Sequence, residues 1–172
     1  MNIIDLMKKS LPIVGLEDAQ TILITCSDKN GLPPSNELKR LEPFAFITTH
    51  GAQIASPEDD LDAIDSLMMV LNGAPRVEHI VLCLHSGCSY MRLPDCYDFL
   101  IKRGRNAIFP LHEVLKEQVA FLKNGVQARF KDDDKCPAVH GWLYEPEIDW
   151  VSFLDDETGL LLPLSANPEL AV

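Results

Sequence analysis

No run of apolar residues in this sequence approaches the roughly 20 in succession that a bilayer-spanning helix needs, and no cluster of lysine and arginine interrupts its acidity. The first absence excludes a membrane-spanning helix. The second, with Lys+Arg 15 against Asp+Glu 26 and a formal net charge of −11, leaves no basic face for phosphate backbones or anionic lipid. Nucleic acid and membrane surfaces are therefore not expected partners. The short apolar run within residues 1–9 is broken by Asp5 and followed by no signal-peptide cleavage pattern, so the expected location is the cytoplasm. Cysteine is sparse: five residues, an odd number with irregular spacing, argue against a disulfide framework in a reducing compartment and turn attention to metal or catalysis. Internal repeats, low-complexity tracts and linkers are also absent.

What is present is a chain of 172 residues, 47% hydrophobic, enough for one core and the usual size of one domain spanning residues 1–172. Thr21-Ile22-Leu23-Ile24-Thr25, Phe44-Ala45-Phe46-Ile47-Thr48 and His79-Ile80-Val81-Leu82-Cys83-Leu84 are short apolar runs suited to strands buried on both faces. A turn over residues 31–36 and a short helix over 36–40 separate the first two. Ser56-Pro57-Glu58-Asp59-Asp60 has the chemistry of a helix start, Leu61, Ile64, Leu67, Met68 and Leu71 follow at helical spacing, and Asn72-Gly73 supplies the stop. Further helices are expected over 94–102 and over 111–123, the latter stopped by Asn124-Gly125. Residues 138–144 read as a strand, 150–154 with the turn-rich 155–159 as a closing hairpin, and 164–172 as a tail that is loose or packed on a partner. Alternating strands and helices predict an α/β fold with an open, mainly parallel sheet flanked by helices.

Two of the expected strands end in metal-ligand residues: Cys26-Ser27-Asp28 follows one and His85-Ser86-Gly87-Cys88 another. Loops at the carboxyl ends of strands line the usual ligand crevice of such sheets, so Cys26, Asp28, His85 and Cys88 are placed to converge. Two thiolates and an imidazole suit zinc, whereas magnesium or calcium prefers oxygen ligands. Three protein ligands leave a fourth position for water, whose pKa zinc can lower to about 7, or for Asp28 itself.

Cys26-Ser27-Asp28 after a buried strand, His85-Ser86-Gly87-Cys88 further along, the connecting Ser66-Leu67, Val70 and Val77-Glu78-His79-Ile80-Val81, and Val139-His140-Gly141-Trp142-Leu143-Tyr144 after a long helix together resemble the β-class carbonic anhydrases. The resemblance covers most of residues 18–155. It implies a β-carbonic anhydrase-like fold, one Zn2+ per chain on Cys26, His85 and Cys88, and a homodimer or larger homo-oligomer. It also implies that Asp28 either ligates the metal or turns away to accept a hydrogen bond from the metal's water, being held away by an arginine two residues on. Here that position is Asn30, which cannot form the bidentate pair an arginine would; Lys29 is offset by one residue. Thr49-His50-Gly51-Ala52 replaces the family's Arg-Asn-Ala-Gly segment, and Ser89 stands where glycine commonly follows the second cysteine.

The activity implied is carbonate dehydratase, the reversible hydration of carbon dioxide to bicarbonate, with Asp28 orienting the attacking group. Two alternatives accompany it: a non-catalytic zinc-binding homologue with an assembly or regulatory role, and a hydrolase of carbonyl sulfide or carbon disulfide. Among the remaining residues, His50 is read as a loop histidine before a proton shuttle, and His79, His112 and His140 as structural. Cys83 is expected to be buried and inert, Cys96 and Cys136 incidental, and residues 131–135 a solvated loop. Met68 and Met69 are expected in the core or at a dimer interface.

Overall fold

A computed structural model of the chain describes residues 14–52, 60–89, 111–130 and 135–166, with side chains of the second segment from residue 64 onward. The expected helix at 94–102, the helix start at 56–59, the acidic loop at 131–134, Cys96 and the last six residues lie outside the described residues.

The apolar run ending in Cys26 forms strand β1 (Thr21–Cys26), buried at every position. A strand covered on both faces cannot alternate polar and apolar residues, which is why the run is continuous. Strand β2 (Phe44–Thr49) lies on one side of β1 and strand β3 (His79–His85) on the other, both parallel to it. Strand β4 (Ala138–Glu145) pairs parallel with β3, and β5 (Trp150–Leu154) and β6 (Leu161–Pro163) continue the sheet antiparallel. The order is β2-β1-β3-β4-β5-β6, so the mainly parallel α/β sheet expected from the sequence is the one found.

Side chains alternate between two cores. Ile22, Ile24, Ile80 and Leu82 face one that also contains Ile64, Leu115, Val119 and Leu122, while Leu23, Val81, Cys83 and Trp142 face the other with Leu38, Leu41 and Phe44. The first core is roofed by two helices, α2 (Asp60–Asn72) and α3 (Leu111–Gln127). The second is closed by the four-residue helix α1 (Ser35–Leu38), the 3-10 turn that continues it over Lys39–Leu41, and Leu164.

Two local readings need correction. Helix α3 does not stop at Asn124-Gly125 but runs on to Gln127. A Cβ at Gly125 would come within 2.6 Å of Ile64 Cδ1, so this glycine marks a close approach of α2 to α3 rather than a helix end. At α2 the same dipeptide does end the helix: the N–H groups of Gly73 and Ala74 bond back to the carbonyls of Val70 and Leu71. The second correction concerns residues 164–166, expected in a loose or partner-bound tail. They form a 3-10 turn that buries Leu164 against the chain's own sheet.

Candidate metal centre

Cys26 is the last residue of β1 and His85 the last of β3, so two adjacent parallel strands deliver them to one edge of the sheet. Cys88 follows three residues later, after a turn whose Gly87 sits at φ +67, a conformation that side-chain-bearing residues seldom adopt. The three ligand atoms lie within 4.8 Å of one another and all three residues are buried. Cys26 Sγ and Cys88 Sγ are 3.5 Å apart.

Without a cation the Cys26 thiol stays protonated at neutral pH. Burial pushes the Cys26 thiol up to about 11, and the neighbouring Cys88 adds to the rise, against the smaller opposing pull of the Asp28 and Gly51 N–H groups. A bound dication reverses that balance, because a coordinated thiol is deprotonated outright. His85 lies with Nδ1 3.0 Å from the carbonyl oxygen of Ser86, and its buried Nε2 has no hydrogen-bond partner. When Nδ1 carries the proton and donates it to that carbonyl, Nε2 is left with an unused lone pair, the arrangement that orients an imidazole as a metal ligand. Two buried sulfurs and an orphaned ring nitrogen form a donor set that suits zinc.

Asp28 stands outside the trio. Its Oδ2 accepts hydrogen bonds from Ser89 N–H at 3.0 Å and from Ser89 Oγ–H at 2.6 Å, and its Oδ1 accepts one from Asn30 N–H at 3.3 Å. The Ser89 hydroxyl first, then the Ser89 N–H, with smaller help from Asn30 and His85, holds the Asp28 carboxyl at about 2, so it is ionised throughout the neutral range. Its own N–H lies 3.3 Å from Cys26 Sγ. The loss of the expected arginine at position 30 therefore does not leave this carboxylate without partners.

Three further contacts were not read from the sequence. Thr25 Oγ1 donates to the carbonyl of Gly31 at 2.5 Å and folds the loop after β1 back on itself. Ser86 supplies the carbonyl that faces His85, and its hydroxyl donates to Glu147 at 2.9 Å, tying the β3 loop to the β4–β5 turn. Ser89 binds Asp28 across the two loops. A hydroxyl replacing glycine at position 89 was the one available signal for this last contact.

The order of the fold is matched by solved structures. The β-carbonic anhydrase CcaA superposes with a TM-score of 0.59 at 17% identity, over 94% of this chain and 88% of that one. The carbonic anhydrase of Streptococcus mutans gives 0.55 at 16%, over 90% and 99% of the two chains, and the β-carbonic anhydrase CafD of Aspergillus fumigatus 0.57 at 18%, over 86% and 95%. The fold is that of the β-carbonic anhydrases. In sequence, Carbonic anhydrase 1 of Escherichia coli O157:H7 is 23% identical over 179 residues, covering 90% of this chain and 82% of that protein. No family model matches. The chain thus has the fold of the β-carbonic anhydrases and a distant sequence similarity to a carbonic anhydrase, in line with its motifs.

Other candidate residues of this β-carbonic anhydrase-like chain lie elsewhere. His79 and His140 meet with Nδ1 and Nε2 3.1 Å apart, one ring donating to the other, and His112 contacts Glu113 at 3.1 Å. Cys83 is fully buried in the second core, where burial drives its thiol well above the ordinary range. His50 opens a 3-10 turn, His50–Ala52, whose Gly51 N–H reaches Cys26. A cavity of about 570 Å3 opens at the amino-terminal side of the sheet, lined by Arg76, Val77, Glu78, Phe130, Cys136 and Pro137. It lies at the end of the sheet opposite the trio. No helix among the described residues is long and apolar enough to cross a membrane.

Proposed function

We propose that this chain is a zinc-dependent carbonate dehydratase that interconverts carbon dioxide and bicarbonate, with one zinc held by Cys26, His85 and Cys88. The observation that carries this reading is the buried trio with an unpartnered His85 Nε2, beside an ionised Asp28 engaged by Ser89. When bound, zinc supplies the Lewis acidity that makes water a nucleophile near neutral pH.

The chain's residues contribute the rest. Cys26 and Cys88 would offset the dication's charge, and the Ser86 carbonyl, accepting a hydrogen bond from Nδ1–H, would direct Nε2 of His85 to the ion. Asp28 can only accept hydrogen bonds in its ionised form, so it orients the attacking water through that water's proton. Carbon dioxide gains the water oxygen, bicarbonate leaves, and one proton passes to solvent. Stopped-flow hydration at mildly alkaline pH tests this. Zinc-loaded protein is expected to exceed the buffer rate and to lose the excess when a chelator removes the metal. Fully loaded protein with no excess rate would defeat the reading.

One observation favours a second reading, a zinc-binding homologue kept for assembly or regulation: only the main chain of residue 30 reaches Asp28. Asn30→Arg is expected to raise activity if the pair alone is missing, and an unchanged, negligible rate would favour the non-catalytic role. Release of sulfide from carbonyl sulfide or carbon disulfide would instead identify a hydrolase. A cytoplasmic homodimer belongs to the same proposal. Met68 packs against the core while Met69 is 76% exposed, so of the methionine pair Met69 is the one available to a second copy. Light scattering checks the dimer.

A further inference from the structure

We propose that Ser89 is a positioning residue that keeps the Asp28 carboxylate off the metal position, so that the fourth site on the ion stays open to an exogenous ligand. The inference rests on reading Cys26, His85 and Cys88 as a metal centre.

The geometry supports it at three points. Asp28 N–H lies 3.3 Å from Cys26 Sγ, so the main chain of Asp28 abuts a ligand atom and its carboxylate is within side-chain reach of an ion held there. Aspartate oxygen is a good zinc ligand, and a carboxylate so placed would otherwise complete the tetrahedron. Against that pull, a single residue gives Asp28 Oδ2 two hydrogen bonds, N–H at 3.0 Å and Oγ–H at 2.6 Å. Among the described residues, no lysine or arginine forms an ion pair with Asp28.

Position in the chain adds the third point. Ser89 directly follows Cys88, and Asp28 follows Cys26 by two residues, so each partner is anchored by one of the two ligand cysteines. The loops that bring the sulfurs together also bring hydroxyl and carboxylate together. Hydrogen bonds to an ionised acceptor are about twice as strong as neutral ones, and losing the hydroxyl bond is worth about tenfold to a hundredfold in the balance between the two carboxylate positions.

The test uses the full chain loaded with cobalt(II), titrated with azide and followed by the visible cobalt bands. Wild type is expected to bind azide at the open position. Ser89→Ala is expected to keep one cobalt per chain and bind azide at least tenfold more weakly, and Ser89→Thr, which keeps the hydroxyl, to stay near wild type. In an Asp28→Ala background, which removes the competing carboxylate, Ser89→Ala should change nothing further. Azide affinity in Ser89→Ala within twofold of wild type, with cobalt fully bound, would overturn the role of Ser89 alone. Azide weakened by Ser89→Ala in the Asp28→Ala background would overturn it too. Wild type that takes up no cobalt would defeat the metal-centre reading and this inference with it.

Discussion

At the carboxyl ends of β1 and β3, Cys26, His85 and Cys88 converge with one buried ring nitrogen left over; toward the amino ends of β3 and β4, His79 and His140 meet 3.1 Å apart and bond to each other. Both regions offer soft or nitrogen donors. Buried polar groups in folded proteins are nearly always satisfied, so the informative difference is the donor that is not. The first region is incomplete as it stands and the second is largely self-sufficient. Between these two regions, it is the unpartnered nitrogen beside two buried sulfurs, and not the number of histidines, that marks the ligand site.

The largest effect expected from breaking this contrast is at the trio. A full zinc site contributes about 10–16 kcal/mol at neutral pH, so His85→Ala, removing one of three protein donors, should weaken zinc binding on the order of a thousandfold. Equilibrium dialysis against a competing chelator measures it. The self-sufficient region should instead report through pH. Burial, with His79 and Lys123 adding to it and Asp156 opposing, holds His140 at about 4, against 6.5 for a free histidine. Its folded-state value is depressed, so between these two values the unfolded chain binds the extra proton, and stability falls as pH drops through that window. A shift of this size corresponds to on the order of 3 kcal/mol. Urea midpoints from pH 7 down to pH 4 should fall less steeply in His140→Asn than in wild type, and parallel curves would remove His140 from the account.

Two smaller effects sharpen the same contrast. Cys83→Ala trims a buried side chain in the core opposite the one that holds Cys26 and Cys88, so zinc stoichiometry should stay at the wild-type level with a stability loss of about 1 kcal/mol, read by metal analysis and urea unfolding. Glu147→Gln alters only the exposed contact with Ser86 and should fall within about 0.5 kcal/mol of wild type in the same unfolding assay.

The parts of this molecule that are legible in the sequence are those in which a residue's neighbours along the chain are also the cause of its position. Continuous apolar runs mark β1 and β3 as doubly covered strands, and a strand carries its last residue to the sheet edge, which is how Cys26 and His85 can be paired across 59 positions from their flanking residues alone. The misread stop at Asn124-Gly125 is the opposite case: the dipeptide is a helix terminator by local rules, but Ile64 from another helix decides what Gly125 is for. The tether on Asp28 is hidden for the same reason. Asn30 and Ser89 are each visible as departures, one losing a partner for the carboxylate and the other gaining one, and only the folding of two distant loops reveals that both act on Asp28.

The turn between His85 and Cys88 carries a consequence for which substitutions the chain can accumulate. The group facing His85 Nδ1 is a main-chain carbonyl, so the side chain at position 86 can change, at the cost of its exposed bond to Glu147, without removing the carbonyl that faces the histidine. The adjacent Gly87, at φ +67, is confined to glycine, with asparagine or aspartate the nearest tolerable replacements. Variation among descendants of this sequence should therefore be broad at 86 and nearly frozen at 87, a pattern opposite to what the chemistry of serine and glycine alone would suggest.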